Sequence, residues 1–331
     1  MLTAVPLVNV FRGEFLESIH TGHAVVARAT GEIVESWGDP SLTVLPRSSA
    51  KMLQALPLAE SEAGRDLSAQ QLALACASHS GATEHVSRVA GWLEELGMSE
   101  GDLLCGPQAS RDKGLRLDMI RKGQPLTRIH NNCSGKHAGF LCLARHLGAG
   151  PDYVSPAHPV QIAVRAAFED MCGEDSPGFG IDGCSAPNFA TSLAGLARAM
   201  ARFAAAGQGR DLRDAAAVRL REAMIAQPGL VAGHGRACTE LMVAAKGRAA
   251  VKTGAEGVFV AILPDLGLGL ALKIADGADR ASEIAVAALL TRLGILEAED
   301  PIVANYLDRP IRNWDGIVTG VSRPVPEILA R

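Results

Sequence analysis

What this sequence lacks narrows its class before anything it contains. No apolar run reaches the roughly 20 residues of a membrane-spanning helix, so no membrane partner is expected. A basic excess is absent too: 32 Lys and Arg stand against 36 Asp and Glu, for a formal charge of −4 and a pI near 6.2. No basic arm or basic-aromatic alternation supplies an electrostatic footprint for nucleic acid. The seven cysteines are odd in number and scattered, unlike the framework of a small secreted scaffold, which fits free thiols in a reducing compartment. The opening residues Met1-Leu2-Thr3-Ala4-Val5-Pro6 carry no charged region, apolar core or small-residue cleavage site, so a cytoplasmic location is the expectation. Internal repeats and low-complexity linkers are also missing. With 48% hydrophobic and 21% charged residues over 331 positions, the chain can bury a substantial core.

The pattern along the chain predicts strands at both ends and helices between them. Val5 to Val10 and Phe15 to Ile19 read as strands, and His23–Arg28 with Glu32–Trp37 flank Ala29-Thr30-Gly31 as a hairpin. Ser68-Ala69-Gln70-Gln71 is a capping-box start. Val86, Val89, Leu93 and Leu96 form a helical stripe that stops at Gly97. Residues 105–130 are irregular and polar, which suits either a wall of a cleft or an ordinary connection. Helices are predicted over 138–147, from Val160, from Phe189 to Phe203, over 211–225 and over 239–245. Strands return at Val258–Leu263 and Leu266–Ile274, then a helix over 282–293 and a last strand at 317–319. The predicted fold class is α/β (α+β): a mixed sheet built from N- and C-terminal strands, about 1–45 and 248–331, with an inserted helical region, about 46–247. A single domain with the cleft between its two parts is expected.

The chemistry centres on Pro46-Arg47-Ser48-Ser49-Ala50-Lys51-Met52. If a helix starts here, Ser48 and Lys51 share a face of its first turn, the serine as attacking oxygen and the lysine as its base. A lysine amine works as a base near neutrality only if its pKa falls by about three units from 10.4, which costs roughly 4 kcal/mol. Desolvation and nearby cations supply such a shift, and Arg47 and Lys252 are the candidates. Alone, the S-x-x-K spacing more often describes a serine capping a solvated helix. Far downstream, Val251-Lys252-Thr253-Gly254 precedes an apolar run, and S-x-x-K followed by K-T-G is the paired signature of serine β-lactamases and penicillin-binding proteins. There Lys252 is a fixed cation, Thr253 a hydroxyl donor and Gly254 a place for close approach. The intermediate S-D-N is missing, and Ala77-Ser78-His79-Ser80-Gly81 stands in its place.

A second constellation lies at Asn131-Asn132-Cys133-Ser134-Gly135-Lys136-His137 and Asp182-Gly183-Cys184-Ser185. Two thiolates with one or two nitrogen or oxygen ligands suit zinc. The same cysteines read as inert core thiols, and Cys133 also reads as a nucleophile acidified by a helix start and Lys136. His79 and His137 read as orienting groups, since lysines already fill the role of base.

Taken together, "RSSAKMLQALPL", "CASHSGATEHV", "HNNCSGKHAGFL", "GIDGCSAPNFA" and "VKTGAEGVF" resemble the rhizobial-type, or class 3, L-asparaginases of the asparaginase II family. The likeness covers nearly the whole chain. It implies a fold similar to serine β-lactamases and glutaminases, and hydrolysis of L-asparagine through a serine acyl-enzyme. It implies two Ser-Lys pairs, Ser48 with Lys51 and Ser80 with Lys252, with either serine able to carry the acyl group. It also implies one zinc ion per chain held by Cys133, Lys136 and Cys184, serving a supporting role. Arg47, Asp182, His137 and Thr253 fall to the substrate, and a homodimer is implied. The alternatives are a glutaminase or β-lactam-type amidohydrolase, one methylene of substrate being worth only about 1–3 kcal/mol, and a non-catalytic amino-acid or zinc sensor.

Overall fold

The strand Val258–Leu263 is buried at all six positions, and Leu268–Ile274 at all but one. Residues alternate sides along a strand, so such a run needs cover on both faces. In the computed structural model, which describes residues 3–207 and 211–330, these strands sit inside an eight-stranded sheet. Its order is Arg309–Arg312, Val318–Pro324, Val5–Arg12, Phe15–Arg28, Leu268–Ile274, Val258–Leu263 and Ala250–Thr253, and Ile33–Trp37 also pairs with Phe15–Arg28. Every pairing is antiparallel. The helices Leu193–Ala205 and Asp279–Arg292 both pack against the central strands and supply the cover. The first carries the stripe Leu193, Leu196, Met200 and Phe203, all fully buried.

The chain divides into two compact units: one comprises the described residues up to Ser49, Thr191–Ala205 and those from Glu240 onward, and the other Ala50–Ala190 with Ala206–Thr239. The first holds the sheet. In the second, Lys51–Glu60 is buried from Lys51 through Ala59 and packs against Ser134–His146, Pro159–Cys172 and Leu212–Ala226. A helix apolar nearly all round belongs at such a centre. Among the described residues no helix is long and apolar enough to cross a membrane.

Several expected elements differ in detail, each for a local reason. Phe15–Ile19 and His23–Arg28 are one strand, Phe15–Arg28. The helix expected from Phe189 starts only at Leu193, because Pro187–Phe189 pairs with Phe179–Ile181 as a hairpin and Thr191–Ser192 pairs with Thr43–Val44. Residues 105–130 contain a helix, Lys113–Arg121, capped by the Asp112 carboxylate accepting from Leu115 N; its polar composition hides it from periodicity. Ser68 and Gln71 do form the reciprocal capping box.

Candidate active site

In the sheet unit the two signature stretches meet. Arg47–Ala50 is a 3-10 turn leading directly into the helix Lys51–Glu60, so Ser48 lies on the tight turn just before the helix proper. The turn is pinned by Ser49, whose N–H and Oγ both donate to Pro46 O, at 3.2 and 2.7 Å. Arg47 holds φ at +55°, a left-handed conformation that costs a side-chain-bearing residue of order 1–3 kcal/mol and clusters at functional sites. Lys252 and Thr253 close the edge strand Ala250–Thr253. Lys252 is fully buried, and its Nζ donates to Thr253 O at 2.8 Å. Gly254 follows, and a Cβ there would lie 2.4 Å from Pro46 O and 3.4 Å from Ser49 Cβ. The missing side chain is what lets the end of the K-T-G strand reach the turn that carries Ser48. Gly254→Ala is therefore expected to push the Pro46–Ser49 turn aside, costing about 1–3 kcal/mol of stability and about 10²-fold in kcat/KM through misplacement of Ser48. Urea denaturation and steady-state kinetics of the variant read both, and wild-type values would break the link between Gly254 and the turn.

In the helical unit, Lys51 is 1% exposed and its Nζ sits among four acceptors: Ala77 O, Ser78 Oγ at 2.9 Å, Cys133 Sγ at 3.1 Å and Asn132 O at 3.5 Å. The two carbonyls can only accept, whereas Ser78 and Cys133 can also give a proton to a neutral amine. Ser78 thus places a hydroxyl of the Ala77–Gly81 loop beside Lys51. The loop is held on three sides. Ser78 N donates to Val231 O, His79 N to Asn132 O, and Ser80 O accepts from Arg111 N and Ser110 Oγ. The region 105–130 thereby acts on the loop through its backbone. His79 accepts from Gly81 N at Nδ1 and lies 3.1 Å from Ser134 Oγ at Nε2. Burial lowers its pKa well below the usual histidine range, so it is a neutral orienting group.

Cys133 and Cys184 share a hydrogen bond that splits them. The Cys133 thiol, 3.0 Å from Asn132 Oδ1, is pushed up by its interaction with Cys184 and by burial. Cys184 is pulled far down, by the same bond and then by Lys136, whose Nζ lies 3.0 Å from its sulfur. Burial lowers Lys136, but Cys184 and then Cys133 outweigh it and hold it as an ammonium. His137 is taken down to about 4 by burial, against the opposing pull of the Cys184 side chain; its ring lies 2.9 Å at Nδ1 from Tyr153 OH. Cys184 rides on the hairpin turn 182–186, where Asp182 N donates to Ala186 O, Ser185 N to Asp182 O, and Ser185 takes φ +70°. Among the described residues no group of three His, Cys, Asp or Glu is placed to hold a metal. The set here reaches three only through an amine, and two sulfurs and an amine suit a borderline-soft cation such as zinc. All would have to bind unprotonated.

The family described as L-asparaginase II matches residues 8–324. The chain belongs to the L-asparaginase II family. No curated protein matches the sequence. Among solved structures it is similar to Mglu in its native form, with 14% identity and a TM-score of 0.48 over 85% of this chain and 65% of that one. It is similar to Mglu in its tris and glutamate form, at 12% and 0.49 over 90% and 65%. A beta-lactamase from Mycobacterium bovis matches at 14% and 0.42 over 83% and 95%. The chain thus spans 65% of the length of the Mglu chain.

Proposed function

We propose that this protein hydrolyses L-asparagine to L-aspartate and ammonia through a serine acyl-enzyme. The observation that carries the reading, beside family membership, is the close packing of Gly254 on the turn of Ser48, which joins the S-x-x-K and K-T-G elements. Ser48 Oγ attacks the side-chain amide carbon as Lys51 Nζ takes its proton, and backbone N–H groups at the turn hold the oxyanion. The C–N bond breaks, the proton passes from Lys51 to the leaving nitrogen, and ammonia departs to leave a β-aspartyl ester. Water then attacks the ester with Lys51 again as base, and collapse returns Ser48 and releases aspartate. Ser78 Oγ, in contact with Lys51 Nζ, relays the proton, and the Ser80 and Lys252 pair assists either stage. Arg47, Asp182, His137 and Thr253 orient the substrate.

Cys133, Lys136 and Cys184 would hold one zinc ion, which supplies a fixed positive charge for positioning substrate; thiolate ligands leave it a weak Lewis acid. Cys184→Ser is expected to take the zinc content from one per chain to near zero, and to raise KM more than it lowers kcat. Metal analysis beside saturation kinetics checks this, and a collapse of kcat with KM unmoved would remove the positioning role. The reading as a whole is tested by ammonia release from asparagine, glutamine and a β-lactam. Turnover of asparagine at least about 10-fold above glutamine, the span one methylene permits, supports it. Tight asparagine binding with no ammonia would make the protein a sensor instead.

A further inference from the structure

The four strands that open the sheet order end in two hairpin tips standing side by side. Val5–Arg12 turns into Phe15–Arg28 through Gly13 and Glu14, and Arg309–Arg312 turns into Val318–Pro324 through residues 313–317. Arg12 pairs with Gly320, and Gly13 N donates to Thr319 O at 3.0 Å, so both tips leave the sheet at the same end. Turns are ordinarily built from small and polar residues, yet these tips are apolar. Trp314 is fully exposed, Phe15 is 81% exposed, and Leu16, Ile317 and Val318 are exposed as well.

The register carries this apolar character back from the tips along one face. Leu16 stands opposite Phe11, Phe11 opposite Val321, and Val321 opposite Pro310, an unbroken row across four strands. Directly paired residues share a face, and all four are half-buried or exposed. One residue along, Val10 and its partner Ser322 point the other way and are buried, on strands that pack against Asp279–Arg292. Phe15–Arg28 also leaves an edge open. Leu268–Ile274 pairs with it only from Gly22 onward, so ahead of Gly22 it pairs with a strand on one side only among the described residues. Folded chains cover such edges and faces.

An aromatic side chain carries about 150–250 Å². The exposed parts of Phe15 and Trp314 with Leu16, Ile19, Ile317 and Val318 then come to roughly 800 Å², above the largest patch of an ordinary monomer and matching one partner's share of a standard two-chain interface. Charges of both signs surround the patch: Arg12 is bound to Glu17 at 3.0 Å, Arg323 to Asp308, and Arg312 and Asp315 flank Trp314. That balance lacks the basic excess an anionic lipid surface selects. It suits a patch that meets itself across a two-fold axis, acid of one copy against base of the other.

We infer that this end of the sheet is the interface on which a second copy of the chain docks, with Trp314 and Phe15 as its anchors. The inference goes beyond the asparaginase reading and does not depend on it.

The test is sedimentation equilibrium, from nanomolar to tens of micromolar protein, of wild type, Trp314→Glu, Phe15→Glu, the double variant and Ile162→Glu. Ile162 is an exposed apolar position on Pro159–Cys172, outside the patch. Circular dichroism of each confirms folding, which substitutions at exposed side chains should leave intact. Wild type should be a dimer, Trp314→Glu should weaken it at least about 30-fold, as loss of an interface hot spot does, and the double variant should be a folded monomer. Ile162→Glu should match wild type. A wild type that is monomeric at tens of micromolar, a dimer that survives both substitutions, or equal weakening by Ile162→Glu would each overturn the assignment. A monomeric wild type that sediments with phosphatidylcholine vesicles, and loses this in the double variant, would give the patch to a lipid surface instead.

Discussion

Ser48→Ala is expected to lower kcat for ammonia release from asparagine by about 10⁴-fold or more, in line with removal of a nucleophile from a catalytic unit, while changing stability by less than about 0.5 kcal/mol. The two expectations separate because Ser48 sits half-buried on a turn whose shape is set by others: Ser49 bonded twice to Pro46 O, and Gly254 packed against it. Removing one oxygen therefore costs chemistry and little structure. The strained φ of Arg47, immediately before Ser48, belongs to the same picture, as strain that persists only where surrounding contacts enforce it. Single-turnover kinetics with zinc measured on the same samples make the test sharp. Turnover within about 10-fold of wild type would move the nucleophile to Ser80 or Cys133 and remove Ser48 from the mechanism.

Much of this was legible in residue types and spacing, and the rest was not for identifiable reasons. The Ala29–Gly31 hairpin, the Ser68 cap and the strand at 258–263 follow from local patterns, and the structure forms them; the strand expected from Leu266 starts at Leu268, after a 3-10 turn over Pro264–Leu266. The S-x-x-K and K-T-G elements could be read separately, but that Gly254 abuts Pro46 depends on which strand lies at the sheet edge, a non-local fact. The Lys51 environment was hidden in another way. Which serine of Ala77–Gly81 meets the amine depends on backbone contacts from Asn132, Val231 and Arg111, three distant segments with no shared sequence signal. A buried lysine, by contrast, is visible in the sequence only as a charge inside an apolar helix, Lys51–Glu60.

That lysine bears the second large effect. Lys51→Met is close to a volume match, but it strips the donor from Ala77 O, Ser78 Oγ and Cys133 Sγ at once. Buried acceptors left without partners cost about 1–3 kcal/mol each before relaxation, so a loss of about 3 kcal/mol in unfolding free energy is expected, together with at least about 10³-fold in kcat. Lys51→Arg separates the two contributions. A guanidinium can still donate to those acceptors but is never deprotonated in a protein. It should therefore recover part of the stability, as far as the closed pocket admits its larger head, and none of the turnover. Recovery of kcat in Lys51→Arg would mean that the position supplies charge rather than proton transfer, and the base would then have to be sought at Lys252. Loss of stability in both variants with kcat near wild type would make Lys51 a structural cation, the plain counterpart to its place in the packed centre of the helical unit.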